Sequence, residues 1–424
     1  MSAMILKNAV LIDGHGSARF VKSILVEDDR IAAIETNADI PQRDGAIVHD
    51  LAGKTVMPGM VAGHFHASYH DVGAGPGIAS LEAPPAYSAY RSLANARLAL
   101  RHGFTSAVGA GTSFDIDASL AAAIEDGLVE GPRLIPCSRL ILSGDDGGSF
   151  PWWIAMGEHG PAKCDGVEGM RAMVRGEMNR GARIIKLSIG AGHATPGSTD
   201  HCHFTYDEVR CAVETAHDRG VRVRAHVTGK ESIRRALDAG VDILDHADWL
   251  DDEMIEAVVK ADVPVLPSLY LPYRLVQLNK APFLPDIAAY QNVLAYLRKA
   301  SEAGVKLCVG DDYGVFITPH GDYAKELAVY VEEAGIAPLE VIKWATVNGA
   351  ALTLDGNEPK GITVGALADL IVVDGDPGKD IHVLQDVRNI EAVMVGGRLM
   401  AFPGEPAFGT TADKPGAPRA AAAA

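Results

Sequence analysis

Apolar and polar positions follow two rhythms along the chain. Residues 4 to 56 alternate with period two through "MILKNAVLID", "KSILVEDDRIAAIE" and "GAIVHDLAGKTVMPG", in β-branched runs broken by Gly, Asp and Asn, which predicts short strands. The same rhythm returns in "ADLIVVDGDP" (368 to 377) and "IEAVMVGGRLM" (390 to 400). Between about 58 and 350, eight short apolar runs alternate with amphipathic helical segments: "VAGHFH", "FTSAV" (104 to 108), "RLIPC" (133 to 137), "RIIKLS" (183 to 188), "VRVRAH" (221 to 226), "VDILDH" (241 to 246), "VPVLPSL" (263 to 269) and "VKLCVGDD" (305 to 312). One helical segment, "TYDEVRCAVETAHDRG", opens with Thr205 and Glu208 at capping-box spacing and closes on Gly220. Repeated strand–helix units predict an α/β protein with a (β/α)8 TIM barrel over residues 58–355. The strands of residues 1–57 lack a partner layer, so they are expected to join residues 356–411 in one small composite β-sandwich domain. The small-residue, Pro-containing tail 412–424 is expected to be mobile.

Composition narrows the partners. The chain carries 55 acidic and 38 basic residues, a formal charge of −17, which repels polyanions and argues against nucleic acid. Five cysteines, an odd number without a CxxC pair, argue against a disulfide framework and a thiolate zinc site. No run approaches the length of a membrane span. A cytoplasmic protein with a small-molecule substrate, assembled as a homo-oligomer and without a membrane partner, is expected.

In a (β/α)8 barrel the chemistry gathers at the C-terminal ends of the strands. The first run ends in His64 and His66, which alternation places on one face; the fourth carries Lys186, the fifth ends in His226, the sixth in His246 and the eighth in Asp312. Singly, each has an ordinary reading: His226 as a core histidine, Lys186 as a snorkelling lysine, Asp312 as a helix cap with Asp311 equally available. Jointly, six metal-competent or titratable groups at one set of strand ends point to a metal centre.

With those motifs the chain resembles the amidohydrolase superfamily, in its imidazolonepropionase-like and prolidase-like branch. The resemblance runs through "VMPGMVAGHFH", the segment from "RAHVTGKE" to "VPVLPSL", the segment from "GVKLCVGDDYG" to "ATVNGAALTL", and "GITVGALADLIVVDGDP". It implies two divalent ions, zinc first with Mn, Co or Fe as alternatives: His64, His66 and Asp312 on the more buried ion, His226 and His246 on the more exposed one. Lys186 would bridge them as a carbamate formed with CO2. The nucleophile would be a hydroxide held between the ions, with Asp312 and His246 catalytic. Matching "GDDYG" to the family's Gly-Thr-Asp-Ser-Gly pattern assigns the catalytic position to Asp312 and leaves Asp311 in place of a neutral residue.

The resemblance implies a binuclear hydrolase of an amide-type C–N bond, in an N-acyl amino acid, a dipeptide or an aryl amide. Alternatives are a hydrolase of carbamates, ureas or cyclic amides, including xenobiotics, and a non-catalytic scaffold on the same fold. Two departures bear on the substrate: "LSGDDGGSFPWW" stands where prolidase-like relatives have "GGHGD", and "HVTG" where they have "HAYG", which puts Thr228 in place of a tyrosine. Substrate-contacting candidates are His70, Trp152, Trp153, His193, Thr228, Tyr270 and His320, with His201, His203 and Tyr273 nearby in sequence.

Overall fold

The computed structural model describes residues 3–16, 20–72, 83–145, 160–191, 201–278, 284–353 and 361–402. Trp152, Trp153, His193 and the tail 412–424 lie outside them.

The N-terminal strands are β1 (Ala3–Leu11), β2 (Phe20–Glu27), β3 (Arg30–Glu35), β4 (Ile47–Asp50) and β5 (Thr55–Pro58). Along the central segment run β6 (Met60–Phe65), β7 (Phe104–Gly109), β8 (Arg133–Ile135), β9 (Cys137–Leu142), β10 (Ala162–Lys163), β11 (Ile184–Ser188), β12 (Arg222–Val227), β13 (Ile243–His246) and β14 (Val265–Leu266). The helices are α1 (Pro85–Arg101), α2 (Ile116–Glu125), α3 (Gly166–Asn179), α4 (Tyr206–His217), α5 (Lys230–Ala239), α6 (Asp252–Ala261), α7 (Tyr270–Gln277), α8 (Leu284–Ala303), α9 (Tyr323–Glu332) and α10 (Pro338–Lys343). The last strands among the described residues are β15 (Leu370–Val373), β16 (Ile390–Val395) and β17 (Arg398–Leu399).

One eight-stranded sheet unites the two chain ends in the order β17-β16-β15-β5-β1-β2-β3, with β4 beside β1. Period-two alternation divides its faces: Leu370 and Val372 enter a cluster with Leu11, Ile24 and Val56, whereas Ile371 and Val373 join the large central core. The far end of the sheet curls back, since Ile31 N–H donates to the Ala366 carbonyl just ahead of β15.

The central strands are parallel. They form one sheet in the order β6-β7-β8 and another in the order β10-β9-β11-β12-β13-β14. Two sequence expectations are corrected here. The third run is two strands, β8 and β9, because Pro136 between them has no N–H for a continuous ladder. The eighth run is not a regular strand: Leu307 makes a single bridge to Val265, and Gly63 N–H donates to the Val309 carbonyl at 2.9 Å. Its neighbour β14 is only two residues long, hemmed by Pro264 and Pro267, so little ladder is available to it.

Inward side chains are layered. Val61, Val108, Ile135, Ile184, Ile243, Leu266 and Cys308, one from each run except the fifth, form an apolar cluster with Cys137 and Leu352. The fifth run contributes a fully buried arginine, Arg224, instead. Outward-facing strand residues pack under the helices in the main core. The Thr205–Glu208 capping box forms at α4, although the helix ends at His217, three residues before Gly220 with its φ of +67°. All five cysteines are free thiols, and among the described residues no helix is long and apolar enough to cross a membrane.

Candidate metal centre

The C-terminal ends of the central strands carry the histidines inward by two backbone irregularities. A register shift between Ala62 and Phe65 breaks the alternation of β6, so that Gly63 and His64 both face the interior. Gly63 is required there: a Cβ would lie 2.6 Å from the Leu266 side chain and from the Val309 carbonyl oxygen. At the end of β13, His246 has φ +71° and Ala247 φ +52°, a left-handed turn that lets His246 follow the inward Asp245 without changing side.

His64, His246 and Asp312 bring one ligand atom each within 4.8 Å of one another. His64 Nε2 is 3.0 Å from Asp312 Oδ1, His66 Nε2 is 3.2 Å from the same oxygen, and the two Nε2 atoms are 3.1 Å apart. His66 Nδ1 donates to the Gly111 carbonyl at 3.1 Å, so its Nε2 turns a lone pair inward. Imidazole nitrogens and a carboxylate oxygen gathered this closely are the donor types that coordinate a divalent cation. The donor set therefore fits a divalent ion. His226 stacks edge-on to His246 with ring centres 4.3 Å apart, and the His66 ring lies flat on Tyr69 at 4.0 Å.

Lys186, almost wholly buried, is paired with Asp245, which also accepts from Arg224 Nε at 2.9 Å and from its Nη2. Arg224 in turn donates through Nη1 to the carbonyls of Gly63 and Gly109, at 3.0 and 2.7 Å, tying the first, second, fifth and sixth runs together beneath the histidines. Burial drives the electrostatics. It holds His64 down at about 4 against the opposing Asp245 and Asp312, so this imidazole is neutral near pH 7. It lowers Lys186 despite Asp245. It pushes Asp245 up, but Arg224 and Lys186 outweigh it and keep that carboxyl well below the usual range.

Asp245 and Arg224 were not singled out from the sequence, although a signal existed: Arg224 lies two residues before His226, hence on the same strand face, and Asp245 directly precedes His246.

Of the substrate-contacting candidates, Thr228 lies beside the centre, its hydroxyl donating to the Ala191 carbonyl at 2.7 Å, the same oxygen that His226 Nε2 approaches at 3.4 Å. The other candidates among the described residues make contacts of their own. Exposed His70 pairs with Asp71 at 3.4 Å, Tyr270 donates its hydroxyl to Asp322 at 2.8 Å, and His320 bonds the Tyr323 hydroxyl at 2.8 Å while its ring meets the edge of Phe65. His201 and His203 meet edge to face, and Tyr273 stacks on Tyr270.

Known proteins share this architecture. A family model described as amidohydrolase family matches residues 55–400. Ochratoxinase from Aspergillus niger is 28% identical over 97% of this chain and 89% of its own, and its crystal structure superposes with a TM-score of 0.84 at 27% identity, covering 97% of this chain and 98% of that one. A crystal structure of a prolidase complexed with N-methylphosphonate-L-proline superposes with a TM-score of 0.84 at 28% identity, over 94% of this chain and 99% of that one. Imidazolonepropionase from Nocardia farcinica is 23% identical over 88% of this chain and 90% of its own. The chain belongs to the amidohydrolase family, in its imidazolonepropionase-like and prolidase-like branch, and is a hydrolase acting on C–N bonds.

Proposed function

We propose that the protein is a binuclear metal-dependent hydrolase that cleaves the amide-type C–N bond of an N-acyl amino acid, a dipeptide or an aryl amide. The observation that carries this reading is the convergence of His64, His66, His246 and Asp312 on one small volume, with His226 against His246 and Lys186 joined to His64 through Asp245. His64, His66 and Asp312 would hold one ion, His226 and His246 the other, and Lys186 would bridge them once its neutral amine has combined with CO2 and released a proton. Two divalent ions, when bound, supply Lewis acidity to the scissile carbonyl and acidity to a water. The burial that lowers Lys186 supports the carbamate, because only the unprotonated amine is nucleophilic.

The chain's own residues do the rest. Asp312, side by side with two imidazoles, accepts the proton of the attacking water and delivers it to the leaving nitrogen. His246, which its left-handed turn brings within ligand reach of His64 and Asp312, would face the reacting carbonyl. The prolidase complex supports the bond type, since a phosphonate on the proline nitrogen is tetrahedral where a carbonyl under attack becomes tetrahedral. Hydrogen bonds from the 305–309 segment to both β14 and β6 support a closed (β/α)8 barrel over residues 58–355, and the shared sheet supports a β-sandwich domain of 1–57 plus 356–411. The free thiols support a reducing, cytoplasmic setting, and the exposed Tyr87 and Tyr90 on α1 a homo-oligomer.

Screening the zinc- or manganese-loaded protein against N-acyl amino acids, dipeptides and aryl amides, beside carbamates and ureas, tests the function. Turnover of amides is the expected result. Turnover of carbamates or ureas alone, or of nothing, would reject it.

A further inference from the structure

Two acidic residues follow Gly310, and Asp312 is the one that faces the imidazoles. Asp311 points the other way into a fully buried position and accepts three backbone N–H groups. Its Oδ2 takes those of Tyr270 and Leu271, at 2.6 and 3.1 Å, and its Oδ1 takes that of Asp312 at 2.7 Å. Tyr270 and Leu271 are the first two residues of α7, whose amides have no acceptor within the helix, and Leu269 before them offers no side-chain cap. Asp311 thus caps α7 from a distant part of the chain. Further ties run across the same junction: Tyr270 to Asp322, Arg274 Nε to the Ile317 carbonyl at 3.2 Å, and the Thr318 hydroxyl to the Asp312 carbonyl at 2.8 Å. Since α7 follows the C-terminal end of β14, it stands on the same side of the strands as the histidines.

We propose that Asp311 is a positioning residue that fastens the first turn of α7 to the Asp312 backbone, keeping the α7 side of the site and the Asp312 carboxylate in fixed register. The inference rests on the reading of Asp312 as ligand and proton acceptor. A carboxylate suits the task because its two oxygens serve both sides at once, whereas an amide has one acceptor oxygen and would turn N–H donors against N–H donors.

The test is Asp311→Asn, with Asp251→Ala as control, because Asp251 caps α6 by accepting the Met254 N–H at 3.1 Å and lies outside the site. In Asp311→Asn, kcat should fall about tenfold or more while KM changes by less than about threefold, the split expected when placement of a reacting group is lost and substrate binding is kept. The visible bands of the cobalt(II)-loaded protein should shift, and in metal-free protein the Tyr270 and Leu271 amides should exchange faster with deuterium. Asp251→Ala should keep wild-type kcat and cobalt bands. Should Asp311→Asn be insoluble, Asp311→Ser, whose single hydroxyl cannot span both sides, is expected to give the same result. Wild-type kcat and cobalt bands beside fast α7 exchange would reduce Asp311 to a helix cap, and unchanged exchange would remove the contact itself; either overturns the proposal. A wild-type protein that cleaves no amide sinks the proposed function instead, and the exchange and cobalt measurements still decide this one.

Discussion

On the proposed function, Asp312 is where binding and proton transfer would meet. Asp312→Asn keeps the size of the side chain and one oxygen able to approach a cation, but the amide cannot accept a proton. Metal content should stay near wild type by elemental analysis, and kcat should fall by about 10² to 10⁴. Lys186→Ala should lose bound metal and activity, with partial recovery on adding a small carboxylic acid that fills the vacated space. Lys186→Arg should not recover, since guanidinium neither forms a carbamate nor binds cations. Elemental analysis and rate with and without acetate check both. At this scale the sequence was most legible in the placement of groups at strand ends: His64, His66, His226, His246 and Asp312 were each marked by an apolar run that stopped on or beside them, and they lie together in the structure. The supporting charges were harder to read. Arg224 and Asp245 lie inside their runs, where a single sequence gives no sign that each is the other's partner, and Tyr69 shows its role only once its ring lies on His66.

At the scale of elements, the eighth run shows what period and propensity leave out. Its apolar pattern read as a strand, yet it pairs through single residues, and Gly310 at its end takes φ +144° because the backbone passes against β6. A Cβ on Gly310 would overlap the His64 amide nitrogen and lie 2.9 Å from that of Gly63. Gly310→Ala should therefore displace His64 and Asp312 together. The expected result is a metal-poor, inactive protein with a near-native far-ultraviolet circular dichroism spectrum; full metal content would contradict it. The runs and the capping box were readable because hydrophobic period and cap chemistry are local, whereas the bulge in β6 and the left-handed turn at His246 answer to neighbours far away in sequence.

Whole-molecule stability should depend on acid through two buried imidazoles, His102 behind the strands and His320 beside His66. Burial, aided by Arg101 and opposed by Asp322, holds His102 down at about 4, and burial holds His320 at about 3. The unfolded chain takes up these protons near 6.5, so it binds more protons than the native state as pH falls. The stabilisation is whole above 6.5 and is lost as pH drops from there towards 4 and then 3, by on the order of a few kcal/mol per imidazole when complete. Thermal midpoints of metal-free protein between pH 8 and 4 should decline over this window, and more gently in His102→Gln. A flat profile in the wild type would show that neither imidazole is held neutral. Deleting residues 356–411 should also destabilise the N-terminal strands, because β5 would lose its antiparallel partner β15; a soluble, fully active truncation would contradict the shared sheet.

The pairing of β5 with β15 also sets a timetable for biosynthesis. Pro58 lies opposite Leu370 and Thr55 opposite Val373, while Gly59 alone separates β5 from the strand that bears His64. On a ribosome adding roughly 5–20 residues per second, the edge of β5 waits on the order of tens of seconds for its partner. During that interval an open, apolar strand edge is joined directly to the first histidine strand. The nascent chain must keep that edge from pairing with other chains, so the yield of active enzyme should respond to translation speed and to chaperone supply more than the mature protein's stability would suggest.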